Sequence, residues 1–285
     1  MSLRLAIDHA TTYQFAGPIR RGLQRLRLTP LSGHAQRVIA WDVAFDGATP
    51  EVAYTDEYGN QVALVALEPG ASSVTIRAHG VVETRDEAGL AGRHSGYLPL
   101  WHYLRDTRLT TRGSGIAALV TGLADAAAQD PLATLHSLTG RVRTAVAYAP
   151  GHTNSATPAE TALTAGRGVC QDQAHVFIAA ARALNIPARY VSGYLLIDGR
   201  EDQDAGHGWA EGYVEGLGWI GFDVANAVCP NDRYVRVAIG RDYHDAAPIT
   251  GLISTLPPAD ETAAVQDRLT ITLSVRVAAD DSPAG

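Results

Sequence analysis

A cysteine at residue 170 opens a helical pattern. Residues 166–184 read GRGVCQDQAHVFIAAARAL, and after the glycine-punctuated loop Ala174, Phe177, Ile178, Ala181 and Leu184 recur at the helical period. With that stripe seated in a core, Cys170 would stand on the first turn, facing unsatisfied N–H groups and the positive end of the helix macrodipole. Such a setting stabilises negative charge on sulfur, and the thiolate is the nucleophilic form. A cysteine nucleophile needs a base within hydrogen-bond reach and a third group that orients the base. Ten histidines compete for the first role. His175 lies roughly 140° round the same helix from Cys170 and would face elsewhere. His207 opens the strand-like segment AGHGWAEGYVEG, where Gly206 and Gly208 leave its ring uncrowded. Asp223 closes GLGWIGFDV. A hairpin of residues 207–215 and 219–223 turning at 216–218 brings its two ends together, which predicts Asp223 beside His207. The catalytic candidates are therefore Cys170, His207 and Asp223.

These residues must be positioned by the surrounding elements. Residues 1–90 read as short β-branched or alternating segments (3–9, 22–28, 38–45, 52–55, 61–67 and 74–84) separated by turn signals such as Asp46-Gly47 and Gly59-Asn60. Strands this short and regular predict a β-sandwich. It carries no catalytic constellation, because His9, His34 and His79 are scattered singly. Gly89, Gly92 and Gly96 mark a boundary, which divides the chain into residues 1–90 and 91–285. The second part begins helical. Residues 114–128, with Ser114 as a cap, and a segment from Asp130-Pro131 to about residue 148 form two helices, and Thr157 before Pro158 caps a third. After Ile186-Pro187 the period falls to two, giving strands at 188–197, 207–215, 219–223, 234–239, 249–255 and 269–277. The last of these lies beyond Pro257-Pro258 and could belong to either sheet. Helices followed by strands give the class α+β.

Composition excludes several functions. The 285-residue chain is 46% hydrophobic and 19% charged, has no run of about 18 apolar residues, and carries a formal charge of -7. A nucleic-acid partner needs clustered positive charge and is not expected; nor is a membrane one. The N-terminus lacks a continuous apolar h-region, and two cysteines fit a reducing compartment, so a cytoplasmic location is expected. Cys229 reads as a packed thiol, although its closeness in sequence to Asp223 leaves oxidation to Cys170 open. Gly216 to Gly221 fits G-x-G-x-x-G but joins two strands, so it is a hairpin turn and no dinucleotide site. His94, His102 and His152 lack zinc spacing. No cofactor and no metal are expected.

GVCQDQAHVFIAAARALNIPARYVSGYL followed by HGWAEGYVEGLGWIGFD resembles the transglutaminase-like superfamily, in its bacterial form with an N-terminal sandwich domain. DHATTYQFAGPI, LQRLRLTP, YAPGHT, ETAL and RYVRVAIGRDYHDAAPITG extend the resemblance over nearly the whole chain. It implies a papain-like core of helices packed on an antiparallel sheet, with a Cys-His-Asp triad matching Cys170, His207 and Asp223. Gln171 and Asp172 match the residues that follow the nucleophile, Asp172 as a helix-start or supporting group. The chain departs from the usual pattern at Gln173, where a bulky aromatic is common, at Gly208, where alanine is frequent, and at Val224-Ala225, where Pro-Thr often follows the aspartate. The acidic residues Asp198, Glu201, Asp202 and Asp204 raise the calcium dependence of some animal relatives but lack EF-hand spacing and read as a solvated loop. The implied chemistry is acyl transfer on a protein or peptide amide through a thioester, with the Cys170 N–H as one oxyanion donor. Gln171 and Trp101 are candidates for the second, and Trp101 is expected in the core. Transamidation, hydrolysis and proteolysis share this chemistry. A binding module with a vestigial triad is the rival from another class.

Overall fold

The structure, a computed structural model, describes residues 2–256 and 267–278, so the Pro257-Pro258 turn lies outside the described residues. Six strands form the N-terminal part: β1 (Ser2–Gln14), β2 (Ile19–Thr29), β3 (Gln36–Asp46), β4 (Ala48–Thr55), β5 (Gln61–Leu67) and β6 (Ser73–Arg85). β1 shows why they pack as a sandwich. Leu5, Ile7, His9 and Thr11 point inward at every second position. Gly47, with φ of 74°, provides the left-handed residue that turns β3 into β4. One sheet places β1 and β3 on either side of β6, and another places β2 and β4 on either side of β5. Phe15, Leu26, Leu28, Val65, Leu67, Val74 and Ile76 fill the space between them.

Next come β7 (Leu90–Gly92), a short 3-10 turn at Leu100–Leu104, and the helices α1 (Ser114–Leu119), α2 (Ala124–Gln129) and α3 (Pro131–Ala145). The single helix expected over 114–128 is thus two. Gly122, at a left-handed φ of 77°, interrupts it, and the N-cap of α1 is Gly113 rather than Ser114. Asp130 does cap α3, accepting the Ala133 N–H at 2.9 Å. That helix ends before residue 148, because β8 (Ala147–Tyr148) leaves it to pair in parallel with β9 (Arg167–Gly168). Between them stands α4 (Ala159–Ala165), capped by Pro158; the Thr157 hydroxyl instead accepts the Asn154 N–H at 3.0 Å.

The site-bearing elements follow: α5 (Cys170–Ala183), β10 (Ala188–Leu195), β11 (Asp202–Gln203), β12 (His207–Val214), β13 (Gly218–Phe222), β14 (Tyr234–Gly240) and α6 (Tyr243–Ala246). Of these, β11 lies in the sheet of β1, whereas β10, β12, β13 and β14 build with β7 an antiparallel sheet in the order β14-β10-β12-β13-β7. Alternation divides its faces. Tyr190, Ala210 and Phe222 pack with Ala174, Phe177 and Ile178 of α5, whereas Val191, Trp209 and Trp219 point to the other side. The fold is the expected α+β arrangement of a strand-rich N-terminal part and helices on an antiparallel sheet.

Sequence groups the two C-terminal strands with residues 91–285, but their pairing lies elsewhere. β15 (Ile249–Thr255) pairs with β2, and β16 (Arg268–Val277) pairs with β1. Both are antiparallel additions to the N-terminal sheets, so the sandwich is closed by the end of the chain. A cluster of Leu5, Ile7, Val82, Tyr194, Val235, Val237 and Val275 joins sandwich to core. Among the described residues no helix is long and apolar enough to cross a membrane.

Two buried histidines are expected to cost this fold stability in acid. Burial pulls His9 down to about 4 and His175 to about 3, so both stay neutral in the folded protein. The unfolded chain binds these protons below about pH 6.5, and the folded chain does not. Stability should therefore fall as pH drops from 6.5 to 4, with a limiting slope of roughly 1.4 kcal/mol per pH unit for each histidine. Urea midpoints at pH 7, 6 and 5 check this, and a flat profile over that range would contradict it.

Candidate active site

Cys170 is the first residue of α5 and is partly exposed. Its helix start is built by Asp172, whose Oδ2 accepts the Val169 N–H at 2.7 Å and the Thr153 hydroxyl at 2.6 Å. Burial raises the Asp172 carboxyl against the opposing pull of these two bonds. Gly168 is a requirement of the same turn, since a Cβ there would lie 2.6 Å from Asp172 Cβ. Two more side chains fix the helix. Gln173 is buried and donates to Val146 O at 2.8 Å, which gives a polar anchor where an aromatic is common. At the far end Arg182, also buried, donates to Tyr103 O, Ala188 O, Arg241 O and the Thr110 hydroxyl.

The other two candidates come from the hairpin. β12 and β13 pair with Ala210 opposite Phe222 and Val214 opposite Gly218, and Gly216 and Gly218 take positive φ in the turn. This register sets Asp223, just past β13, beside the start of β12. His207 Nε2 lies 2.6 Å from Asp223 Oδ2. The same carboxylate oxygen accepts the Tyr234 hydroxyl at 2.8 Å and Asn226 Nδ2 at 2.7 Å. The loop beyond Asp223, where the chain departs from the common Pro-Thr, is pinned by that Asn226 contact, by a bridge from Asp223 to Val228 and by the buried Val224.

The electrostatics of the three groups are linked. Burial disfavours a charged His207 ring, but the Asp223 carboxylate and the Cys170 sulfur outweigh it and push the imidazole up to about 10. Burial likewise opposes ionisation of Asp223, and its bonds from His207, Asn226 and Tyr234 outweigh that penalty and hold the carboxyl below its ordinary range. His207 Nε2 is committed to Asp223, so Nδ1 is the nitrogen left for the sulfur. The raised His207 value stabilises the fold fully below about pH 6.5, and that contribution is lost as pH rises through 10.

The remaining residues singled out by sequence are placed differently. Gln171 directs Nε2 toward Ser155 O at 3.4 Å. Trp101 was expected in the core and as an oxyanion candidate, but it is 54% exposed, under the Arg105 guanidinium at 4.6 Å. The aromatic stretch instead buries Tyr103, because only that ring meets Trp219 at 5.0 Å. His175 faces away from the thiol, as its helical angle predicts, and accepts the Tyr243 N–H at 3.0 Å. Both cysteines are free thiols.

Sequence reading missed four neighbours. Tyr234 and Asn226 support Asp223, but 11 and 3 residues of separation carry no periodic signal. Tyr148 stands at the exposed rim; burial and then the charge of Cys170 raise its phenol. Tyr190 lies beneath the site, its ring 5.3 Å from that of His175. Burial, then Cys170, hold its hydroxyl well above the ordinary phenol range. Tyr190 also explains Gly208, since a Cβ at 208 would sit 1.9 Å from the Tyr190 hydroxyl. Gly208→Ala is accordingly expected to cost about 1–3 kcal/mol through overpacking and to slow alkylation of Cys170. Tyr190→Phe in the same chain removes the 1.9 Å contact but leaves the ring carbon that carried the hydroxyl 2.7 Å from such a Cβ, so only part of the stability should return. Urea midpoints of the single and double variants check this, and a double variant no more stable than Gly208→Ala would refute the clash.

Known proteins resemble the chain over most of its length. The family model of the transglutaminase-like superfamily matches residues 118–224, and that of the bacterial transglutaminase-like N-terminal region matches residues 5–83. An uncharacterized protein of Mycobacterium leprae is 30% identical over 269 residues, covering 88% of this chain and 93% of its own. An uncharacterized protein of Mycobacterium tuberculosis is 29% identical over 276 residues, covering 88% of each chain. The crystal structure of a proposed cysteine protease from Cytophaga hutchinsonii shares the fold, with a TM-score of 0.72 at 22% identity over 99% of this chain and 92% of that one.

Proposed function

Because the chain belongs to the transglutaminase-like superfamily, we propose that it is a cysteine enzyme that cleaves or exchanges amide bonds through a thioester on Cys170. The observation that carries this reading is the 2.6 Å contact of His207 Nε2 with Asp223 Oδ2, at a ring that the carboxylate and the Cys170 sulfur together push up to about 10 against the cost of burial. A buried imidazolium beside a sulfur is poised to protonate a leaving amine.

The steps follow from the atoms. The Cys170 thiolate adds to the carbonyl carbon of a carboxamide or peptide bond, and the oxygen takes the negative charge. As the first helical residue, Cys170 has a backbone N–H without an intrahelical acceptor, which is free to meet that oxygen. His207 Nδ1–H then gives its proton to the nitrogen as the C–N bond breaks, leaving a thioester and a neutral imidazole. Water or a primary amine loses a proton to Nδ1 and attacks the thioester, and the departing thiolate restores the starting pair. Asp223 keeps the ring oriented throughout, and Tyr148 forms the exposed wall that an incoming chain meets. A reducing compartment, as proposed from the two cysteines, would keep the thiol available.

Incubation of wild type and Cys170→Ala with a glutamine peptide and a peptide library, with and without a primary amine, tests the reading. Ammonia release or new peptide ends that depend on Cys170 are the expected result. Product masses divide the outcomes: incorporated amine means transamidation, added water means hydrolysis. Absence of any Cys170-dependent product, together with iodoacetamide modification no faster than that of a free model thiol, would overturn it.

A further inference from the structure

Strands at sheet edges expose unpaired backbone N–H and C=O groups, and folded chains blunt them with short strands, bulges, prolines, charges or covering groups. Every edge of the three larger sheets but one carries such a device. β11 and β7 are two and three residues long. β3 holds Arg37, Asp42 and Asp46 and a bulge between Val38 and Ala40. β4 holds Pro50 and Glu51 and a bulge between Pro50 and Val52. β14 is satisfied by side chains of the sandwich: Gln36 bonds the N–H and the C=O of Arg236, each at 2.8 Å, and Asn60 bonds those of Ile239, each at 2.8 Å. The exception is β15. Ile249–Thr255 runs for seven residues without a charge or a proline, and among the described residues it pairs only with β2. The one irregularity in that ladder skips a residue of β2, Arg20, and leaves β15 regular.

The direction of its backbone groups can be read from its ends. Pro248 O accepts the Arg27 N–H at 2.8 Å and the Leu256 N–H donates to Pro18 O at 2.9 Å, so the even-numbered residues turn their backbone toward β2. Ile249, Gly251, Ile253 and Thr255 therefore turn theirs outward, since the period of a strand is two. Leu252 stands at the midpoint, 86% exposed, opposite Leu23 of β2, itself 45% exposed. A second copy of this strand completes it. Laid antiparallel about a two-fold axis at Leu252, Gly251 faces the other copy's Ile253, and Ile249 faces its Thr255. Every such pair joins outward-turned residues, which exchange both of their N–H···O bonds. The two Leu252 Cα atoms then stand about 4.5 Å apart, the close spacing of a non-hydrogen-bonded pair, with their side chains in contact. Charge does not oppose this. Arg25 and Arg21, opposite Thr250 and Ser254, lie one strand in. Those of two copies stay about 14 Å apart, three strand spacings, beyond the roughly 8 Å screening length of physiological salt.

We propose that β15 is a self-association edge, through which two copies of this chain pair antiparallel and join their β15-β2-β5-β4 sheets into one. Each copy offers one such edge, so the assembly closes at a dimer. Main-chain hydrogen bonds supply the affinity, and the leucine at the two-fold sets the register. A single strand pair is smaller than a standard interface, which puts the dissociation constant on the order of 10–100 μM. Pairing at β15 is independent of the chemistry proposed for Cys170.

Sedimentation equilibrium of the full chain from about 1 to about 500 μM, a range that brackets this affinity, tests the pairing. A reversible monomer–dimer equilibrium is expected. Leu252→Lys sets two ammonium groups against each other at the two-fold and should weaken the dimer at least about tenfold. Its exposure means that the substitution leaves the fold of the monomer intact, with the urea midpoint as the control. Val52→Lys, at a residue 49% exposed on β4, the opposite edge of the same sheet, should leave the dimer unchanged. Amide exchange gives a readout that mere loss of folding would not mimic. The N–H groups of Ile249, Gly251, Ile253 and Thr255 should exchange more slowly as concentration rises, whereas those of Thr250, Leu252 and Ser254, already turned to β2, should not respond. A monomer at every concentration, a species larger than a dimer, or a dimer that Leu252→Lys leaves as tight as wild type would overturn the proposal.

Discussion

Cys170→Ala is expected to lower amide turnover by roughly 10⁶-fold, the scale on which removal of a covalent nucleophile acts. The size of the effect follows from the proposed steps. Without sulfur there is no thioester, and His207 and the helix N-terminus can only assist direct attack by water. The fold should survive, because Cys170 is partly exposed and the start of α5 is closed by Asp172, not by the thiol. Alanine also removes none of the anchors at Gln173 and Arg182. Turnover of a glutamine peptide, with the urea midpoint as a control for folding, measures the outcome. Residual activity above about one hundredth of wild type would be far more than the oxyanion contact and binding alone can supply and would remove Cys170 from the mechanism.

Asp223→Asn should act through His207. The substitution keeps size and an oxygen that can accept from Nε2, but it removes the carboxylate charge that, with the Cys170 sulfur, pushes the ring to about 10 against burial. The imidazole should fall toward its ordinary value of about 6.5. The sign is then fixed: above the folded value the ring is neutral, so it cannot protonate a leaving amine, and the sulfur loses its cationic partner. Wild type should hold its activity until pH approaches 10, whereas the variant should lose it from near neutrality. Competition adds to the effect, since the Tyr234 hydroxyl and the Asn226 side chain donate to one Asp223 oxygen and the Asn226 backbone N–H to the other, so either orientation of the amide sets its NH₂ against a donor. A loss of about 10²- to 10⁴-fold at pH 8 is expected, the upper end being the cost of the same exchange in a serine triad. Profiles of kcat/KM and of iodoacetamide rate against pH check it. An alkaline limb that stays where wild type has it would mean that the charge of Asp223 does not govern His207.

How far the site could be read from sequence depended on whether a local rule covered each residue. The helix of Cys170 was legible because its apolar spacing and glycine loop are local signals, and α5 begins at that residue. The pairing of His207 with Asp223 was legible because a hairpin converts sequence symmetry about a turn into proximity. Local signals failed where a distant contact decided. Trp101 and Tyr103 belong to one aromatic stretch, and nothing in it says which ring meets Trp219. The helix expected over residues 114–128 broke at Gly122, whose positive φ its neighbours do not announce. β15 and β16 had ordinary strand patterns, and only the open edges of β2 and β1 determined where they would pair.

Sequence by itself determined the order of the longer strands and helices, the cysteine at a helix start and the hairpin that carries a histidine and an aspartate, because these depend on periodicity and turn chemistry within some 20 residues. Tertiary structure alone decided what surrounds them. It brought Tyr190 against Gly208, Tyr234 and Asn226 onto Asp223, and Arg189 and Arg236 onto the one buried carboxylate of Glu211. Those contacts depend on how sheet faces meet, and the period of a strand says only that a side chain points up or down, never what it will find there.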